Sequence, residues 1–259
     1  MCRPTYYTIA YEINPWMSLK RQANHPRALA QWNHLYQLLT RQLGVRVDLL
    51  PPHPGVPDLV FTANAVLLSG RTLIRSNFRY PQRQREEPII ERYCKGAGLR
   101  VVRLSSRFDF EGEGDALWMD RTLLFGFRFR SDAPMHEELA RIVKARVLPV
   151  ELSDRRFYHL DTCFCPLDGD TALWFPQAFD RYGRTVIEGV VEDPISVTEA
   201  DARRFVCNAI VVGRSIVVQT GLSMSLQRQL ARRGFRLYPI DLSEFLKAGG
   251  SAKCLVLRL

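Results

Sequence analysis

Between residues 24 and 43 apolar side chains recur at spacings of three and four: Ala28, Leu29, Trp32, Leu35, Leu38, Leu39 and Leu43. That period predicts an amphipathic helix, with Pro26 near its start and Gly44 as its stop. Helices are predicted in the same way over 81–95, ended by Gly96, and over 134–143 and 222–233. Elsewhere the apolar runs shorten to strand length. Residues 6–11 are aromatic and β-branched, 45–50 alternate, and 101–104 are apolar; each reads as a strand. Two apolar runs between 58 and 75 flank Ser69-Gly70, a hairpin signal. After Gly249-Gly250 a short apolar run from Cys254 reads as a buried strand.

The hairpin recurs. Asn64-Ala65, Asp115-Ala116, Asp161-Thr162 and Asn208-Ala209 each open one, and Cys254 stands where a fifth would begin. The starts lie about 45 to 50 residues apart, with helical stretches between them. One such unit cannot bury its apolar face alone, and closing five into a ring removes exposed sheet edges. The expected fold is therefore α/β: a five-repeat, pseudo-symmetric α/β-propeller of ββαβ units around a central site. Asn64, Asp115, Asp161, Asn208 and Cys254 would face that centre. No linker divides the chain, so one domain over 1–259 is expected.

Composition narrows the classes. Hydrophobic residues at 46% and charged residues at 24% are ordinary for a globular protein. No apolar run approaches the ~18 residues of a membrane helix, and Met1-Cys2-Arg3-Pro4-Thr5 lacks a signal-peptide pattern, so a cytoplasmic protein without a membrane partner is expected. The six cysteines do not suggest a disulfide framework. Cys163 and Cys165 would share a strand face, but no further Cys or His pairs stand at ligand spacing, so neither a metal nor a cofactor is expected. The net charge of +9 admits an anionic partner, yet the basic residues are scattered and form no nucleic-acid motif. A solvated basic surface is the plainer reading, and no nucleic-acid partner is expected.

Two stretches could carry chemistry. Phe110-Glu111-Gly112-Glu113-Gly114-Asp115 crowds three carboxylates into a glycine-loosened turn. It is either a solvated acidic turn or a pocket for a cation. In Tyr158-His159-Leu160-Asp161-Thr162, a strand would set His159 and Asp161 on one side, as a core pair or as a proton shuttle beside a binding acid. A thiol with a histidine and carboxylates elsewhere is a candidate nucleophilic system. A planar cation that paired carboxylates grip is a guanidinium.

Pro57-Asp58-Leu59-Val60-Phe61-Thr62-Ala63-Asn64, the Glu111–Asp115 turn, His159-Leu160-Asp161-Thr162 and Gly249-Gly250…Cys254, taken together, resemble the guanidino-group-modifying enzymes. That family includes dimethylarginine dimethylaminohydrolase, arginine deiminase, arginine dihydrolase and amidinotransferase, and its fold is the five-repeat pentein propeller. The resemblance implies Cys254 as the nucleophile forming an amidino-thioether and His159 as general acid/base. It implies Asp58 and Asp161 as acids gripping guanidinium nitrogens. Glu111 is the preferred partner acid and Glu113 the second choice, because the spacing to Asp115 is off by one. Arg83 and Arg130 resemble arginines that hold a substrate carboxylate, and Asn14 is assigned to the same pocket. Asn64 stands where deiminases and dimethylaminohydrolases usually carry Asp and arginine dihydrolases carry Asn. The implied activity is cysteine-dependent hydrolysis of arginine or a methylated arginine, a small guanidino amino acid, without a cofactor. Amidino transfer and non-catalytic guanidino binding are the alternatives, and homo-oligomerisation is left open.

Overall fold

Four hairpins form where the apolar runs predict them. In the computed structural model, which describes residues 1–259, each opens a three-stranded sheet. The first sheet holds β1 (Val66–Ser69), β2 (Thr72–Arg75) and β3 (Arg100–Arg103). The second holds β4 (Ala116–Met119), β5 (Thr122–Phe127) and β6 (Arg146–Glu151). The third holds β7 (Phe164–Pro166), β8 (Thr171–Trp174) and β9 (Asp193–Ser196). The fourth holds β10 (Ile210–Val212), β11 (Ser215–Gln219) and β12 (Arg236–Ile240). In every sheet the first two strands are antiparallel and the third runs parallel to the second.

A parallel neighbour must be reached by a crossover. Helices Glu87–Gly96, Met135–Val143, Arg181–Val190 and Met224–Arg232 supply it. Each buries a narrow apolar stripe: Ile90 and Cys94, Met135 and Leu139, Ile187, and Leu226 and Leu230. Gly70, Asp120 and Gly213 take positive φ at equivalent hairpin turns, as two-residue turns between twisted strands require. The helix expected over 81–95 is two, Pro81–Gln84 and Glu87–Gly96, because Pro88 has no N–H to continue the first and starts the second.

The fifth unit departs from expectation. None of residues 6–11, 45–50 or 254–259 is a strand. Residues 45–50 run without a ladder and meet Cys2 through one parallel bridge at Leu50, while Ala252–Leu255 turns. The groups a ladder would use are spent elsewhere. Thr62 Oγ1 donates to the Leu255 carbonyl at 3.2 Å and accepts from the Leu257 N–H at 3.1 Å, so a hydroxyl stands in for a strand. The order of parts still repeats, since helix His25–Gln37 connects the parallel-bridged Cys2 and Leu50.

His159 and Asp161 do not share a strand. Asp161 sits in a 3₁₀ turn, Leu160–Thr162, that precedes β7, and Cys163 also falls before that strand. The first two units have the same device, with helical turns Thr62–Ala65 and Gly112–Asp115 before β1 and β4, and the fourth and fifth have non-helical turns there. Hydrogen bonds between these turns close a ring. Ala63 N–H donates to the Cys254 carbonyl, Leu160 N–H to Asp115 Oδ1, Asn208 Nδ2 to the Asp161 carbonyl, and Lys253 N–H to the Asn208 carbonyl. Between the first and second units Gly112 fits against Asn64 so closely that a Cβ would meet the Asn64 carbonyl oxygen at 2.7 Å.

Candidate active site

Buried polar atoms almost always find a partner. Asp58 Oδ1, Asn64 Nδ2, His159 Nδ1, Asp161 Oδ1 and Ser251 Oγ are buried here without one. All five lie on the ring turns or the segment next to them, whereas the other orphans, on Trp32, Trp174 and Arg75, lie in helices or strands. Four of the five can accept, and unmatched acceptors suit a ligand that is all donor; Asn64 Nδ2, a donor, is the exception. A guanidinium has five N–H donors and no acceptor.

Cys254 is buried beside two members of this set, Asp161 and Ser251. Its Sγ donates to Asp161 Oδ2 at 3.3 Å and accepts from Asn208 Nδ2 at 3.1 Å. Burial and the Asp161 carboxylate beside it push the thiol well above its ordinary range. Burial likewise lifts Asp161 to about 7, against the pull of Lys253. The pair therefore keeps its proton until a cation joins it. Gly249 has φ +80°, and a Cβ on Gly250 would lie 2.4 Å from Phe61, so the glycine pair lets this loop turn and pack against Phe61.

His159 Nε2 stands 2.7 Å from Glu111 Oε2, and Arg130 donates to that same oxygen at 2.9 Å. Burial opposes a charge on Glu111, but Arg130 and His159 hold it down to about 2. The carboxylate is therefore the acceptor, Nε2 carries the proton, and Nδ1 keeps a lone pair that no protein group uses. Burial lowers His159 to about 4 despite Glu111. It is a neutral imidazole that can accept a proton, poised by a carboxylate that stabilises the charged form.

Asp58, in the 3₁₀ turn Pro57–Val60, accepts from Tyr11 Oη at 2.9 Å and is pushed up by burial. Asn64 is oriented by Arg83, whose Nη1 donates to Asn64 Oδ1 at 3.0 Å and so turns Nδ2 away as a free donor. The nitrogen lies by His159, since a Cβ on Gly114 would be 2.5 Å from Asn64 Nδ2 and 3.2 Å from the His159 ring.

The remaining sequence candidates divide. Arg83 is tied to Glu86 by two bonds of 2.8 Å and stacks over Phe78. Arg130 lies between the rings of Tyr80 and Tyr158, bonded to Glu111 and the Ile13 carbonyl. Both guanidinium groups are engaged by the protein. Asn14 closes its own turn through Trp16 N–H and pins the Ala248 carbonyl at 3.0 Å, beside the glycine pair. Glu113 turns away from His159 to Lys253, 2.5 Å distant. With Asp161 these two groups form the polar end of a cavity of about 830 Å³, otherwise lined mainly by apolar residues such as Leu117, Phe164 and Ile210. Neither Cys254 nor His159 lines that cavity. Sequence reasoning missed Tyr11, Tyr158, Ser251 and Lys253 as members of the site. Lys253, adjacent to the thiol, carried a signal; the others lie on irregular segments that no period marks.

The family model for eukaryotic N,N dimethylarginine dimethylhydrolases matches residues 10–259. A bifunctional arginine dihydrolase/ornithine cyclodeaminase, AgrE, from Nostoc sp. (strain PCC 7120) is 45% identical across the whole chain, which spans 37% of that protein. The N(G),N(G)-dimethylarginine dimethylaminohydrolase of Mycobacterium tuberculosis is 38% identical across the whole chain and 84% of its own length. Among solved structures, the N-terminal domain of ArgZ, a cyanobacterial arginine dihydrolase, was crystallised as a cysteine-to-serine mutant bound to substrate. It superposes with a TM-score of 0.95 at 43% identity, covering 100% of this chain and 96% of that one. A dimethylarginine dimethylaminohydrolase at 23% identity shares the fold, with a TM-score of 0.80 over 92% of this chain and 91% of that one. The chain spans little more than a third of the length of the two bifunctional dihydrolases it matches.

Proposed function

The chain belongs to the N,N dimethylarginine dimethylhydrolase family of guanidino-modifying proteins, and on that premise we propose that it hydrolyses the guanidino group of arginine as an arginine dihydrolase. The single observation that carries the reading is the unpartnered Nδ2 of Asn64 among unpartnered acceptors. A guanidinium offers that donor nothing, since it has no acceptor. A ureido product has a carbonyl oxygen, and Asn64 can donate to it. The site then has a use for both the first substrate and the first product, which favours a second hydrolysis in place.

In this reading, a guanidinium entering beside Asp58 and Asp161 lowers both carboxyls and the neighbouring thiol, because a buried cation favours their charged forms. The Cys254 thiol gives up its proton, which the neutral His159 takes up; the thiolate attacks the guanidino carbon, and His159 passes that proton to the departing nitrogen, which leaves as ammonia. His159 next takes a proton from water, whose oxygen adds to the amidino-thioether carbon. The C–S bond breaks, its electron pair returns to sulfur, and the ureido product forms. A repeat of the cycle on that product gives, in all, ornithine, carbon dioxide and two ammonia from arginine and two waters. Six cysteines, none paired, suit a reducing compartment such as the cytoplasm.

The family model and the mycobacterial relative favour methylated arginines as a second reading. Mass spectrometry of products from arginine, methylarginines and citrulline separates the two. Ornithine from arginine and from citrulline is expected, and Cys254→Ser should form none. Citrulline that accumulates from dimethylarginine, with arginine untouched, overturns the dihydrolase reading.

A further inference from the structure

We propose that Asn208 is a further catalytic residue: its amide shapes the loop that carries Cys254 and donates a hydrogen bond to the sulfur, steadying the anion each time the C–S bond forms or breaks. The proposal rests on Cys254 being the nucleophile. Asn208 is fully buried and comes from the fourth unit, just before β10. Its side-chain oxygen accepts two backbone N–H groups of the loop, Ser251 at 3.1 Å and Cys254 at 3.2 Å. Two donors on one side settle the amide orientation, so the atom facing the sulfur is nitrogen. That nitrogen donates to Cys254 Sγ and to the Asp161 carbonyl, each at 3.1 Å.

The backbone beneath is held as firmly. Asn208 N–H donates to the Phe205 carbonyl at 2.9 Å, and Phe205 has φ +55°, costly for a residue with a bulky side chain. Packing of Phe205 against Trp16, with ring centroids 4.7 Å apart, keeps it there. Asparagine suits the task because it offers acceptor and donor on one rigid plane without a charge. Aspartate would lose the donor, and a hydrocarbon would leave two loop N–H groups unpaired.

The chemistry needs such a donor. While the sulfur carries its proton, Asp161 is its acceptor. Once the proton has gone, Asp161 can only repel the sulfur, and the Asn208 amide is the donor that remains. The same bond forms again when the C–S bond breaks and the electron pair returns to sulfur. The charged and titratable groups acting on Cys254 are Asp161, Lys253 and Tyr158, with Glu113 behind Lys253, and a substitution at Asn208 leaves all of them in the chain.

The test is the pH dependence of Cys254 alkylation by iodoacetamide, read by peptide mass spectrometry in the unsubstituted protein and in Asn208→Ser, Asn208→Asp and Asn208→Leu. In the Ser and Leu variants the midpoint is expected to rise by about one to two pH units and kcat/KM for arginine to fall by about 10- to 100-fold; Asp should move both at least as far. A folded variant with lower thermal stability but an unmoved midpoint overturns the proposal, because that is the mark of a structural role alone. In the unsubstituted protein the Asn208 side-chain amide resonance should titrate with the alkylation midpoint, and an amide that does not follow also overturns it. Alkylation needs no turnover. A moved midpoint in a protein that leaves arginine intact would sink the substrate reading and keep this one.

Discussion

Two glutamates separated by a single glycine have opposite surroundings. Glu111 shares its carboxylate between Arg130 and His159, whereas Glu113 pairs with Lys253 beside an apolar cavity. Gly112 between them has φ +52°, which turns the chain so that the two side chains diverge. In Glu111→Gln the imidazole loses the carboxylate that favours its charged form. We expect kcat to fall by about 10²- to 10⁴-fold, the usual share of a general acid/base. The sign of the pH effect follows: Glu111 raises His159 against burial, so the limb reporting its protonation should move to lower pH in the variant. Steady-state rates from pH 3 to 9 for the unsubstituted protein, Glu111→Gln and Glu113→Gln check this, and a larger loss of kcat in the last would reverse the assignment. Spacing along the chain could not choose between the two, because the choice is made by a backbone angle that only glycine makes cheap.

The elements themselves were legible where a period exists. Hairpins and crossover helices bury one face each, so their alternation survives in the sequence. The 3₁₀ turn holding Asp161, the irregular fifth unit and the loop over the thiol have no repeating face; side-chain hydrogen bonds such as those of Thr62 and Asn208 hold them instead. Glycines in these loops are therefore the sharpest probes. Gly112→Ala would set a Cβ 2.7 Å from the backbone oxygens of Asn64 and Val66, at φ +52°. Gly250→Ala would meet the Phe61 ring at 2.4 Å. Gly70, at φ +58° with nothing within 4 Å, isolates the cost of the backbone angle alone. Urea unfolding should show Gly70→Ala losing about 1 kcal/mol and Gly112→Ala about 1–3 kcal/mol more. Gly250→Ala is expected to lose turnover out of proportion to stability, because the loop it displaces carries Cys254. Equal costs at positions 70 and 112 would mean that the close fit of Gly112 against the first unit contributes nothing.

At the scale of the whole molecule, ring closure buries a set of ionisable groups whose balance changes with pH. Burial raises Asp161 and Glu86 to about 7, so the folded chain keeps protons there that the unfolded chain gives up above pH 4. Stability from these two groups therefore falls as pH rises from about 4 to 7. His159, lowered to about 4, acts in the opposite sense between about 4 and 6.5, where the unfolded chain binds the proton that the folded chain refuses. A guanidinium in the site offsets the cost on the acid side, since it favours ionised Asp161 and Asp58. Binding must then release protons wherever those carboxyls are protonated in the free protein. Titration calorimetry of the Cys254→Ala variant with arginine, in two buffers of different ionisation enthalpy, should show about one proton released at pH 6 and almost none at pH 8.5. Affinity should climb with pH by up to tenfold per unit below 7 and level off above it. Asp161→Asn should flatten that climb, leaving only the part that Asp58 supplies. An affinity independent of pH across this range would mean that the guanidinium does not bind against Asp161, and the assignment of the two carboxylates as its grip would fall.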